Sequence, residues 1–131
     1  MKMLLIISLT VFGNLFPQVD QTPVALDDVC RAIGSGDIAQ LAAVMDMEVE
    51  ISILDKENLY SRDQAVAALK SFFAANPPSS FGKVHQGASK SADAEYCIGT
   101  LATAKGPFRV YVYVSKKSTG VLLQELRFER E

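Results

Sequence analysis

Polar side chains suited to ligand binding recur in the last two predicted strands. Residues 108–115 alternate between apolar and polar types, which predicts a strand with one buried face. The same two-residue period divides residues 121–129 into two faces, one of them carrying Leu122, Gln124, Leu126 and Phe128. If the two strands pair with matching faces, one sheet face collects five polar side chains: Arg109, Tyr111, Tyr113, Glu125 and Arg127. This group forms either a recognition surface or a solvated face, because such cross-strand charge pairs contribute only about 1 kcal/mol or less.

His85 is the only histidine, and its ordinary pKa suits proton transfer near neutral pH. An enzyme would use His85 or Glu125 as the base and Tyr111 or Tyr60 as the hydrogen-bond donor. No carboxylate stands beside His85 in the sequence to orient its ring, and a lone strand histidine is more often structural. We therefore predict no catalytic residue.

The two cysteines, Cys30 and Cys97, fall on the apolar face of a predicted helix and inside a predicted strand. Two inert, buried thiols are at least as plausible as a disulfide, and we expect no essential disulfide. One histidine and no C-x-x-C spacing argue against a metal site. Since no glycine-rich phosphate loop or G-x-S-x-G sequence occurs, we expect no cofactor and no serine nucleophile.

Length and charge limit the classes of function. The chain of 131 residues has room for one domain, and 49% apolar with 21% charged residues is typical of a globular protein. The formal net charge is -2, without a cluster of basic residues. We therefore expect no nucleic acid partner, because binding to phosphates needs a clustered basic face.

The first 13 residues resemble a signal peptide. Lys2 is followed by a short apolar run, Leu4 to Phe12, which is too short for a membrane-spanning helix. The expected cleavage site lies before Asn14, and residues 14–23 form a linker to a domain at 24–131. An uncleaved amphiphilic tail and a buried first strand or helix are the alternatives.

Three helices and five strands are predicted within the domain. A first helix runs from about Val24 to Gly34, Asp37 caps a second, and Ser61 with Gln64 forms a capping box for a third. A strand at 48–53 and a turn at 55–58 precede the third helix, which ends at the sequence Asn76-Pro77-Pro78. Four strands follow, near residues 82–88, 94–103, 108–115 and 121–129. Helices followed by an antiparallel meander predict an α+β fold.

Short motifs in this order resemble a family of exported domains from Bacteroidota that is known only as a domain of unknown function. The motifs are the segments 33–37, 53–57, 60–61, 72–73, 76–78, 85–87, 96–101, 108–111 and 124–127. The resemblance implies an NTF2-like (cystatin-like) fold, a bent antiparallel sheet wrapped around N-terminal helices, and an exported protein. Enzymes of this fold group react in a pocket between sheet and helices, but the resemblance brings no catalytic residues to this chain.

The favoured hypothesis is a periplasmic or secreted module that binds a small molecule or an envelope protein. Its expected ligand-binding residues are Tyr60, Arg109, Tyr111, Glu125 and Arg127. The alternatives are a small isomerase or dehydratase and an accessory subunit of an envelope complex. We expect no stable membrane span, and homodimerisation stays open.

Deleting Met1 to Gly13 should leave the melting temperature nearly unchanged, because a targeting segment lies outside the folded core. Circular dichroism melts of the full and shortened chains test this. A drop of many degrees would show that the segment packs into the domain.

Overall fold

The computed structural model describes residues 23–131, which form three helices and six strands. The predicted signal segment and residues 14–22 of the linker lie outside the described residues. The helices are α1 (Leu26–Ser35), α2 (Ile38–Val44) and α3 (Arg62–Ala75). The strands are β1 (Met45–Ile53), β2 (Lys56–Ser61), β3 (Pro78–Ala88), β4 (Ala94–Thr103), β5 (Phe108–Lys117) and β6 (Gly120–Arg130).

The local signals that predicted the helix ends are confirmed. Gly36 ends α1 in the left-handed conformation, φ 64°, which a residue with a side chain rarely adopts. The Asp37 carboxylate accepts the backbone N–H of Gln40 and begins α2. At the start of α3, the Ser61 hydroxyl accepts the Gln64 N–H while the Gln64 side chain accepts the Ser61 N–H.

The six strands form one mixed sheet in the order β2-β1-β6-β5-β4-β3. Neighbouring strands are antiparallel except for β1 and β6, which run parallel. The chain between these two strands includes α3, as a parallel pairing requires a long crossover. The predicted α+β class is confirmed.

The predicted turn at 55–58 is wrong, because the chain reverses earlier and returns as a sixth strand. Leu54, with φ 56°, and Asp55 make the reversal, and β2 then pairs with β1 from Lys56 to Ser61. This strand lies at an edge of the sheet and is mostly exposed, so its composition is too polar to show a strand pattern. Two other strands begin earlier than predicted, β1 at Met45 and β3 at Pro78.

The predicted face assignment of β6 is wrong in its first half, because the strand contains a bulge. Tyr113 pairs with Glu125 but Val114 pairs with Leu123, so Gln124 is an extra residue without a partner. This extra residue shifts the alternation between buried and exposed side chains by one position in the part of β6 that precedes it. Val121 and Leu123 are therefore buried with Leu126 and Phe128, whereas Leu122 and Gln124 are partly exposed.

All three helices pack on one face of the sheet, and the buried side chains form a single apolar core. Four phenylalanines lie at its centre: Phe72, Phe73, Phe108 and Phe128. The rings of Phe72 and Phe128 are 4.4 Å apart between centroids, and those of Phe72 and Phe108 are 5.1 Å apart. The opposite face has no helix in the described part of the chain, and we call it the open face.

Within residues 23–131, every helix is too short or too polar to cross a lipid bilayer.

Replacing Phe128 by Ala should lower the free energy of unfolding by roughly 3–5 kcal/mol, because it leaves a cavity between α3 and the sheet. Replacing Leu59, which is exposed on β2, by Ala is the matched control and should change it by less than about 0.5 kcal/mol. Urea denaturation of both variants measures the difference. Equal losses would contradict the assignment of the core.

Candidate functional site

A shallow depression on the open face is the candidate site. Its volume is about 240 Å³, and it lies across β4, β5 and β6. Its lining comprises Tyr96, Cys97, Ile98, Tyr111, Val112, Tyr113, Glu125 and Arg127. Strand register sets this grouping, because Tyr111 pairs with both Ile98 and Arg127. Paired residues point to the same side of a sheet, so their side chains emerge together.

Three tyrosines provide the aromatic surface of this open-face site. Tyr113 is directly opposite Tyr96 on β4 and Glu125 on β6, and 38% of its surface is exposed. Tyr111 is partly buried beside them. Since tyrosine offers both a flat apolar ring and a hydroxyl, such a group suits binding of partly polar surfaces.

Arg127 is held loosely in the site. Its guanidinium lies 3.7 Å from Glu125 and 4.0 Å from Glu129, and 6.0 Å from the centre of the Tyr111 ring. Exposed ion pairs of this length contribute little to stability. The Arg127 side chain can therefore turn towards a bound anion or carbonyl at small cost to the fold.

Arg109 also lies on the open face, but its guanidinium is bound to Glu131. Its Nη2 and Nε donate to one carboxylate oxygen of Glu131 at 2.7 and 3.0 Å, and the Thr100 hydroxyl donates to the same oxygen. These contacts raise the pKa of Arg109 and lower that of Glu131. The pair fastens Glu131 across β4 and β5, so the Arg109 guanidinium is less available to a ligand than that of Arg127.

Tyr60 lies apart from the other four predicted site residues. It pairs with the buried Val49 of β1 and packs against the core, on the side of the sheet that faces the helices. Its hydroxyl accepts a hydrogen bond from the side chain of Asn58. The sequence could not separate Tyr60 from the others, because the strand that carries it was not predicted.

His85 lies beside the site and bonds to one of its tyrosines. His85 Nε2 and the Tyr96 hydroxyl are 2.9 Å apart and share a hydrogen bond. The Tyr96 ring extends over Gly87, where an added Cβ would come within 2.6 Å of the hydroxyl. This contact explains the glycine two residues after His85. The hydrogen bond holds the Tyr96 ring at the rim of the depression.

A group of carboxylates next to Arg127 was missed at the level of sequence. Glu50 of β1 pairs with Glu125 of β6 and lies near Glu57 of β2. The Glu57 carboxylate and then the negative charge of Glu125 hold the pKa of Glu50 above its usual range. The alternation Glu48, Glu50, Ser52 indicated an exposed face, but only the parallel pairing brings β1 beside β6.

In the described part of the chain, the space between helices and sheet is filled by apolar side chains. The buried residues there are aliphatic or aromatic, together with the two cysteines. Tyr60 and Glu125, one pairing proposed for an enzyme, lie on opposite faces of the sheet. Over residues 23–131, no three metal-ligating side chains come close enough to hold an ion.

Comparison with known families identifies one match. The sequence profile of DUF4783, described as a domain of unknown function, matches residues 26–129. No curated protein matches the chain.

Solved structures of DUF4783 family proteins and of an NTF2-like protein are also similar to this chain. A DUF4783 family protein from Bacteroides ovatus ATCC 8483 is 29% identical, with a TM-score of 0.70, covering 76% of this chain and 89% of its own. One from Bacteroides uniformis ATCC 8492 is 24% identical, with a TM-score of 0.74, covering 81% and 96%. An NTF2-like protein from Cytophaga hutchinsonii ATCC 33406 is 10% identical, with a TM-score of 0.55, covering 76% and 87%. The likeness to the last shows the fold alone, and the predicted NTF2-like fold is confirmed.

Replacing Glu50 by Gln should increase stability at neutral pH. The raised pKa means that the folded chain binds the Glu50 proton more tightly than the unfolded chain, so stability falls as pH rises through that pKa. The substitution removes this loss, and its benefit should vanish towards about pH 4, where the carboxyls are protonated.

Melting curves of the wild type and Glu50→Gln between about pH 4 and about pH 8 test this. Glu48→Gln removes one charge from the same strand and is the control. An advantage of Glu50→Gln that persists unchanged at low pH would contradict repulsion as its cause.

Proposed function

We propose a binding function for this chain, which belongs to the DUF4783 family and has an NTF2-like fold. The open face is the binding surface, and an exported protein partner is its occupant. A single observation carries the proposal: three tyrosines and a loosely held arginine share a depression on a sheet face that the described helices leave uncovered.

The composition of the open-face site favours recognition over catalysis. Tyrosine and arginine are the residue types that most often dominate binding energy in protein interfaces. They combine flat contact area with hydrogen-bond donors, and tyrosine loses little conformational entropy on binding. In the site, Tyr96 on β4 is opposite Tyr113 on β5, and Tyr111, two residues before Tyr113, is opposite Arg127 on β6.

The shape of the site favours a protein over a small molecule. Small-molecule pockets usually enclose about 300–1,000 Å³ and bury most of their ligand. The depression here is smaller, about 240 Å³, and lies open on a sheet surface. One side chain of a partner would fill it, while the surrounding strands make the flatter contact.

The charge around the site favours a partner that brings a basic side chain. Glu50, Glu57 and Glu125 gather beside Arg127, so carboxylates outnumber the one cation. A lysine or arginine placed between Glu50 and Glu57 would relieve their repulsion. Such electrostatic complementarity adds to specificity and to the rate of association.

The apolar segment at residues 1–13 supports export as part of the proposal. A protein that crosses the inner membrane by such a signal would meet its partner in the periplasm or outside the cell. An accessory subunit of an envelope complex is one form of this function. The enzyme alternative has less support. Of its proposed acid–base pairs, Glu125 and Tyr111 do share a site, but that site is an open depression on the sheet and not a pocket between sheet and helices.

Site-specific crosslinking in the native host tests the location of the binding surface. A photoreactive phenylalanine at position 113 should capture a protein partner, because Tyr113 is the most exposed tyrosine of the site. The same residue at position 70, on the exposed side of α3, is the control and should capture none. Equal capture at both positions, or capture only at position 70, would contradict the proposal.

Two substitutions should weaken capture by the photoreactive residue without destabilising the fold. Tyr111→Phe removes a hydroxyl and Arg127→Ala removes the loosely paired cation, so each should reduce capture several-fold while the melting temperature stays nearly constant. Lys70→Ala is the matched surface control. Loss of stability in both variants with capture retained would indicate a structural role, and no effect on either measurement would indicate a solvated face.

A further inference from the structure

The two cysteines meet inside the core although 67 positions separate them in the chain. Cys30 is on α1 and Cys97 is on β4, and their sulfur atoms are 2.9 Å apart. Both residues are free thiols and both are buried. Disulfide sulfurs lie about 2.05 Å apart, so bond formation requires an approach of only about 0.9 Å.

The two thiols differ in access to solvent. Cys30 lines a surface depression of about 260 Å³ between α1 and β3, together with Gly34, Ser80 and Phe81. Cys97 has no exposed surface. A reagent small enough to enter this depression therefore reaches Cys30 first, and Cys97 lies behind it.

The electrostatic surroundings give the two thiols different acidity. The hydrogen bond with Cys97 and, secondly, the nearby Lys83 ammonium lower the pKa of Cys30 despite its burial. Lys83 also pairs with Asp27, which offsets part of its effect. The pKa of Cys97 is raised by the same hydrogen bond and by burial. Because the thiolate is the reactive form, Cys30 is the nucleophile of the pair.

We infer that Cys30 and Cys97 form a reversible disulfide by thiol–disulfide exchange, with Cys30 attacking and Cys97 resolving. The oxidant is an external small disulfide. The Cys30 thiolate attacks one of its sulfurs, and the other leaves as a thiolate with the bonding electron pair. Cys97 then loses its proton and attacks Cys30 Sγ, which releases the second thiolate. The external disulfide is reduced to two thiols and the protein pair is oxidised.

The bond would join α1 to β4, the strand next to the β3 edge of the sheet. Cys97 lies between Tyr96 and Ile98, whose side chains line the open-face site on the other side of the sheet. A crosslink over so long a loop restricts the unfolded chain strongly, which is the main source of disulfide stabilisation in the chain-entropy description. The inference does not rest on the proposed binding function.

Incubating the purified full chain with oxidised glutathione tests the inference. Both thiols should disappear together, the intact mass should fall by about 2 Da, and peptide mapping without reductant should link Cys30 to Cys97. The melting temperature should rise by about 10 °C and return on reduction. Two free thiols after prolonged incubation, or disulfides between chains, would overturn the inference.

Single variants separate the roles of the two sulfurs. Cys97→Ala should retain one glutathione on Cys30, a gain of about 305 Da, because no resolving thiol remains. Cys30→Ala should stay unmodified while folded, because Cys97 is fully buried. Modification of Cys97 in folded Cys30→Ala would overturn the assigned order of attack. The wild-type mass and peptide map test the bond itself even if a variant does not fold.

Discussion

Burial of one face of a six-stranded sheet beneath three helices is the constraint on which the rest of this structure depends. The phenylalanines around Phe128 fill the space between α3 and the sheet, and the aliphatic residues of β5 and β6 extend the same core. Hydrophobic burial of this kind is the main favourable term in folding. Because the helices occupy this face, polar side chains on the alternate positions of the strands must lie on the other one.

The open-face site is therefore a consequence of the pleat and of one irregularity in it. Without the bulge at Gln124, Leu123 and Glu125 would lie on the same face, and either a leucine would be exposed or a carboxylate would be buried. The extra residue lets Leu123 pack inward while Glu125 and Arg127 remain outside with Tyr111. Bulges often occur where a sheet redirects side chains, and this one maintains both the core and the grouping of side chains at the open-face site.

The core also brings together groups that the chain keeps far apart. The contact between α1 and β4 places Cys30 against Cys97, and the parallel pairing of β1 with β6 places Glu50 against Glu125. In both places a chemical property arises from packing: a thiol with a lowered pKa in one, a carboxyl with a raised pKa in the other. Binding on one side of β4 and thiol chemistry on the other would thus share one strand.

The sequence by itself determined the helix ends, the α+β class and the buried positions of β5. It also predicted that Arg109, Tyr111, Glu125 and Arg127 share a face if β5 and β6 pair with matching faces, which they do. These depend on local hydrogen-bonding groups and on the two-residue period, which are properties of neighbouring residues. Only the tertiary structure decided the sixth strand, the parallel pairing, the bulge in β6, the separation of Tyr60 from the site and the meeting of the two cysteines. The parallel pairing and the meeting of the cysteines depend on which distant segments pack together, and such contacts are set by the shape of the whole core. The sixth strand and the bulge lie in hairpins of neighbouring strands, but their residues carry no regular two-residue pattern that would have revealed them.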